Sequence, residues 1–248
     1  MFDINLYTIF LAALITALAT GLGAIPFFFV KNVGQWWLSA AYAIAAGLML
    51  GASHGLIAEG FVYSATRLIL GIILGVVFMT ITHNALKGRE DLHLGALSGA
   101  NALRAVMIIG AMTLHSFSEG VGVGVSFGGG ETLGELITAA IAIHNIPEGL
   151  AISLVMVPRG TSAWKAAGWS IFSSLPQPLM AVPAFLFVTA FAPILPIGLG
   201  FAAGAMIWMV FSELIPDALE NSDSSIIAII ITLAMTAMFA FQELVLKH

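Results

Sequence analysis

Apolar runs of membrane-spanning length, parted only by brief polar or turn-forming segments, recur from one end of this chain to the other. A run of about 20 apolar residues crosses the hydrocarbon core as a helix, and peptide groups there find no water to bond. Helices are therefore the default, and the runs lack the short alternation of an outer-membrane barrel. Eight spans are expected, near 4–30, 36–58, 65–86, 98–126, 132–157, 164–191, 195–216 and 225–246. With 60% of 248 residues hydrophobic, 8% charged and a mean hydropathy of +1.04, the lipid bilayer is the partner that composition demands. The reading is an all-α integral membrane bundle forming a single domain over residues 1–248, with no room for a soluble domain in the loops.

Met1 to Asn5 lacks a basic n-region, and the apolar run after it is long enough to span, so the first helix is expected to be retained. Cysteine is absent, which removes disulfides and thiolate ligands. A formal net charge of −5 argues against nucleic acid as a partner. Lys31, Lys87, Arg89, Arg159 and Lys165 fall on one side of the alternating spans, while Arg67 and Lys247 fall on the other. The positive-inside bias puts the first set in the cytoplasm and both termini outside. Trp36, Trp37, Trp164 and Trp169 flank the same cytoplasmic edges, where indole rings favour the interface.

Ala45-Ala46-Gly47-Leu48-Met49 in the second span is similar to Ala202-Ala203-Gly204-Ala205-Met206 in the seventh, and these two helices run in opposite directions. Chance likeness between small-residue helices is one reading. The other is an inverted repeat, helices 1–3 related to helices 6–8, around central helices 4 and 5.

The central pair carries the chemistry. His115-Ser116-Phe117-Ser118-Glu119-Gly120 and His144-Asn145-Ile146-Pro147-Glu148-Gly149 each set a histidine and a glutamate four residues apart. That spacing puts both on one helix face, so two adjacent helices converge two imidazoles and two carboxylates. The donor set suits Zn2+, Fe2+, Mn2+, Cd2+ or Co2+ rather than Cu(I). A lone intramembrane histidine is more often a buried polar residue bonded to a neighbouring helix. Four ionisable residues at matched spacing favour a metal site, since unpaired carboxylates there cost at least a few kcal/mol. Pro147 removes a backbone hydrogen bond and frees the carbonyl of Ile143 beside His144.

His144-Asn145-Ile146-Pro147-Glu148-Gly149 resembles the His-Asn-x-Pro-Glu-Gly signature of the ZIP (Zrt/Irt-like) divalent metal transporters, with features of their GufA-type branch, and His115 to Gly120 is a degraded copy. The resemblance extends to the span count, the external termini, the Ala-Ala-Gly-x-Met phrase and Ser212-Glu213-Leu214-Ile215-Pro216. It implies that His115, Glu119, His144 and Glu148 hold the transported ion, with Met49 an added soft ligand. In some relatives a second, adjacent site uses the residue after each histidine and a glutamate in the sixth helix. Those positions here are Ser116, Asn145 and Gln177, so Asn145 stays in the ligand set but the second site is expected to be weak or absent. Ser118 stands where the first motif of relatives has proline, so the fourth helix should be straighter than the fifth.

The function so implied is a secondary transporter moving a divalent transition metal, zinc foremost, toward the cytoplasm by alternating exposure of the central site. No resident cofactor is implied, because the metal is cargo. The expected location is a plasma or bacterial inner membrane. Two alternatives remain at this point: an intramembrane metalloenzyme, which no His-Glu-x-x-His phrase supports, and a metal-binding protein that does not transport. Small-residue spacing and family habit suggest a homodimer through a Gly71/Gly75 face. His54 and Glu59 are placed near an external entrance, Glu213 and Asp217 near a hydrated cytoplasmic exit, and His83 at a packing or helix-end position. The loop from Lys87 to His93 is short and carries one histidine, which argues against metal sensing there.

Overall fold

A computed structural model describes residues 5–29, 34–87, 93–95 and 97–246. Of the charges used above to orient the chain, Lys31, Arg89 and Lys247 lie outside the described residues. The fold is almost wholly helical, as the apolar runs require. Helix α1 (Leu6–Thr20) begins where the Asn5 side chain accepts from the Thr8 N–H at 2.8 Å, and continues through a 3-10 turn (Gly21–Ala24) into α2 (Pro26–Phe29). There follow α3 (Gln35–Tyr63) and α4 (Ala65–Leu86), then α5 (Gly99–Gly128) and α6 (Glu131–Met156). Between α4 and α5 a small hairpin pairs β1 (His93–Leu94) with β2 (Leu97–Ser98), His93 opposite Ser98. The chain continues through α7 (Ala163–Ser174), α8 (Pro176–Leu186) and α9 (Val188–Phe191). It ends with α10 (Leu195–Met209), a π-helical turn (Val210–Leu214), α11 (Ile215–Leu219) and α12 (Ser224–Leu246).

Seven helical segments among the described residues are long and apolar enough to cross a membrane: Leu6–Phe29, Gln35–Tyr63, Ala65–Ala85, Gly99–Gly128, Glu131–Met156, Leu195–Leu219 and Ser224–Leu244. The run expected as one span at 164–191 is instead divided into α7, α8 and α9. Prolines explain the first break. Pro176 and Pro178 have no N–H to offer the carbonyls of Phe172 and Ser174, and the Leu175 N–H turns to Phe172 O at 3.2 Å.

Close backbone approach sorts the helices into two groups. The last glycine of each His/Glu phrase is a contact point: a Cβ on Gly149 would lie 1.7 Å from the Thr20 carbonyl oxygen, and one on Gly120 would lie 2.5 Å from that of Gln177. Helix α6 is thereby pressed onto α1, and α5 onto α8. In the second group α3 meets α12 through Gly47, and α4 meets α10 through Gly71 and Gly75. The Gly71/Gly75 face expected to serve a dimer is therefore occupied within the chain, where a Cβ would sit 2.2 Å and 2.3 Å from the carbonyl oxygens of Ile197 and Phe201. The two groups meet chiefly along α5 with α10 and α3 with α6, where Gly198 faces the Ser118 hydroxyl rather than backbone.

These contacts predict an asymmetry between glycines. Gly149→Ala should destabilise the detergent-solubilised protein by about 1–3 kcal/mol through overpacking, read as a lower thermal midpoint. Gly110, with nothing within 4 Å of an added Cβ, should tolerate alanine or gain stability.

Candidate metal centre

The helical repeat places His115 above Glu119 on α5 and His144 above Glu148 on α6, and these two helices pack side by side. One ligand atom from each of the four lies within 4.8 Å of all the others. His115 Nε2 is 2.7 Å from Glu148 Oε1 and 3.2 Å from Glu119 Oε1, while His144 Nε2 is 3.5 Å from Glu148 Oε1. The two imidazoles face each other at 5.8 Å between centroids. All four side chains are buried, His115 and Glu148 completely.

Proximity here is not ordinary hydrogen bonding. His115 Nε2, His144 Nε2, Glu119 Oε1 and both Glu148 carboxylate oxygens are buried without a partner in hydrogen-bond geometry. Buried polar atoms are nearly always satisfied, so orphans from four side chains whose ligand atoms cluster within 4.8 Å are what a shared cation would need. Two nitrogens and two oxygens match a tetrahedral zinc site, whose neighbouring ligands stand roughly 3.3 Å apart given metal–ligand bonds of about 2.0–2.2 Å.

Amide and hydroxyl side chains hold one arm of this centre. Gln177, in the first turn of α8, donates through Nε2 to Glu119 Oε2, leaving Oε1 for the cluster. Its carbonyl oxygen accepts from the Thr16 hydroxyl and from Asn145 Nδ2, the latter at 3.1 Å. Asn145 Nδ2 also donates to the Thr16 carbonyl at 2.7 Å, so the amide is fixed and its Oδ1 is left buried and unpaired. Ser116 sits 3.5 Å from the Ser174 hydroxyl, which in turn meets Thr20 at 2.7 Å. At the second-site positions, Asn145 and Gln177 are thus bonded to each other, and Ser116 is bonded to the Ser174 hydroxyl instead.

The structure brings together His115, Glu119, His144 and Glu148, with Asn145 beside them. Met49 is buried in the main apolar core on α3. His54 packs on the Phe239 ring at 4.7 Å, and His83 on Trp208 at 5.5 Å with Nδ1 3.7 Å from Glu213. Glu213 and Asp217 differ from the expected hydrated exit: both are buried and paired with arginines. Thr16 and Thr20 were not singled out by their residue type, although two threonines four apart in the apolar second half of α1 are the signal that marks them.

Removing the Gln177 amide should loosen the centre without touching a ligand. Gln177→Ala should weaken zinc binding about 10–100-fold, as loss of outer-shell partners typically does, measured by zinc titration of the purified protein. Thr16→Val should produce a smaller loss in the same direction.

Comparison with known proteins bears on this geometry. The family model described as ZIP zinc transporter matches residues 82–241. An Arabidopsis thaliana protein named as a candidate zinc transporter is 47% identical over 97% of this chain, which spans 39% of that protein's length. The zinc transporter GufA of Myxococcus xanthus is 31% identical over 84% of the chain and 87% of its own length. The zinc transporter ZIPB of Bordetella bronchiseptica is 32% identical, with 82% and 70% covered.

Proposed function

Because the chain belongs to the ZIP zinc transporter family, we propose that it carries divalent transition-metal ions, zinc foremost, across the membrane through the buried His/Glu centre. The observation that carries the proposal is the convergence of His115, Glu119, His144 and Glu148 with their ligand atoms unpaired. Those four are the ligands, and Asn145 Oδ1 and the Met49 sulfur are auxiliary ones. The ion exchanges its water shell for imidazole and carboxylate, and the site opens to each side in turn. On the receiving side, water and protons compete for the same ligands. The second-site positions, whose amide and hydroxyl groups are already hydrogen-bonded and include no carboxylate, favour one ion at a time.

The inverted repeat belongs to the same reading. Gly47 of the second span faces the Ile231 carbonyl of the last, and Gly204 of the seventh faces the Ile72 carbonyl of the third, as inversion would pair them. Likewise Gly149 meets the first span and Gly120 the sixth. The segment from Ala163 to Phe191 then completes the bundle as a broken eighth span, and residues 1–248 act as one transport domain. Exposed Trp36, Trp37 and Trp164 support an interface at the end that also bears Arg159 and Lys165. That end is the cytoplasmic one, both termini lie outside, and transport runs inward across a plasma or bacterial inner membrane.

Uptake of zinc into proteoliposomes tests the proposal. Glu119→Ala with Glu148→Ala should reduce flux to that of empty liposomes while the protein still elutes as a folded species. Binding without any flux in the unaltered protein would leave a metal-binding protein that does not transport.

A further inference from the structure

Eleven residues, close to three helical turns, separate Arg104 from His115 on α5, so Arg104 continues the face that carries His115, about 16 Å away. Arg159, eleven residues after Glu148, lies in the turn that follows α6, at the same end of the bundle. The two arginines meet two carboxylates there. Pro216 has no N–H for the Ser212 carbonyl, the chain takes a π-helical turn at Val210–Leu214, and Glu213 and Asp217 come to lie four residues apart beside the guanidinium groups.

Asp217 is held from both sides. Arg104 donates to its Oδ1 and Arg159 to its Oδ2, each at 2.9 Å, and Arg104 Nε lies 3.5 Å from Glu213 Oε2. Arg159 also donates to the Tyr42 hydroxyl at 2.8 Å, to the Val155 carbonyl at 2.9 Å and to Asn101 Oδ1 at 3.2 Å. Tyr42 in turn donates to the Leu154 carbonyl at 2.7 Å.

These bonds cross the boundary between the two helix groups. Arg104, Asn101, Arg159 and Leu154 belong to the group that holds the metal centre; Tyr42, Glu213 and Asp217 belong to the other. Among the described residues, each Arg–carboxylate ion pair joins the two groups. Along α5 and α6, between this cluster and the metal centre, the buried side chains Ile108, Met112, Ile152 and Val155 are apolar. A cation moving along the faces of α5 and α6 would also meet two guanidinium groups.

The geometry points to a charge-paired gate: Arg104, Arg159, Asp217, Glu213 and Tyr42 fasten the two helix groups together and close this end of the ion path. Opening separates the arginines, which stay with the ligand-bearing group, from the carboxylates on the other. Asp217 and Glu213 are then free to receive a divalent cation leaving the centre. This role rests on the transport reading, but the gate can be tested without measuring transport.

The chain contains no cysteine, so one introduced thiol reports access to water-soluble reagents. Ala111→Cys lies one turn from His115 on the gate side, and Ala140→Cys one turn from His144 on the opposite side. In detergent-purified full-length protein, Asp217→Asn should speed thiosulfonate modification of the thiol at 111 about tenfold or more, by releasing a two-state equilibrium from its ion pairs. The thiol at 140 should react no faster, and Asp217→Glu should restore the slow rate at 111. Tyr42→Phe, a milder change, should give a smaller acceleration in the same direction and serves if Asp217→Asn fails to fold. An unchanged rate at 111, or equal acceleration at 111 and 140, overturns the gate and leaves the cluster a purely structural brace. Zinc titration of the same proteins is read separately: loss of binding in the parent would refute the metal centre, whereas the labelling pattern speaks only to the gate.

Discussion

Two carboxylates and two imidazoles held together out of reach of water set the terms for the rest of this structure. In hydrocarbon each unpaired ionised group costs at least a few kcal/mol, and here the four ligand groups converge without hydrogen bonds of good geometry among themselves. Such a cluster persists only if its neighbours are rigid enough to prevent its collapse. The amide of Gln177 supplies part of that rigidity by holding one oxygen of Glu119, and Asn145 and Thr16 fix the amide. The small residues that end each phrase supply the rest. Gly149 and Gly120 admit the backbones of α1 and α8 to within contact of the ligand-bearing helices, where a side chain would have forced them apart.

Much of this was legible in the sequence, and the legible part was local. A spacing of four residues within an apolar run determines which side chains share a face, so His115, Glu119, His144 and Glu148 were readable before any packing was known. Helix direction follows from counting spans, which is how Lys165 and Arg159 could be assigned to one end. Gln177 was noted only for the charge it lacks. Its role as a donor depends on α8 starting afresh after Leu175, and no periodicity announces which carbonyls a proline will leave unbonded.

What stayed hidden is tertiary. Gly71 and Gly75 form a smooth stripe whether the partner is a second molecule or α10, and the stripe alone does not say which. Glu213 and Asp217 read as acids near a hydrated exit because the guanidinium groups that meet them are remote in the chain, those on Asp217 lying 113 and 58 residues away. Arg104 and Arg159 stand at equal sequence distances from His115 and Glu148, a regularity visible only when the two central helices are laid side by side.

The backbone contacts at glycine carry one more consequence. Where a carbonyl of one helix rests on the Cα of another, neither can turn or slip without collision, so the pair behaves as one stiff body. Such contacts tie α1 to α6 and α5 to α8, and separately α3 to α12 and α4 to α10. His115, Glu119, His144 and Glu148, together with Gln177 and Thr16, all lie in the first of these bodies. Displacement of one body past the other would therefore keep these four side chains and their supports together and change only the walls around them.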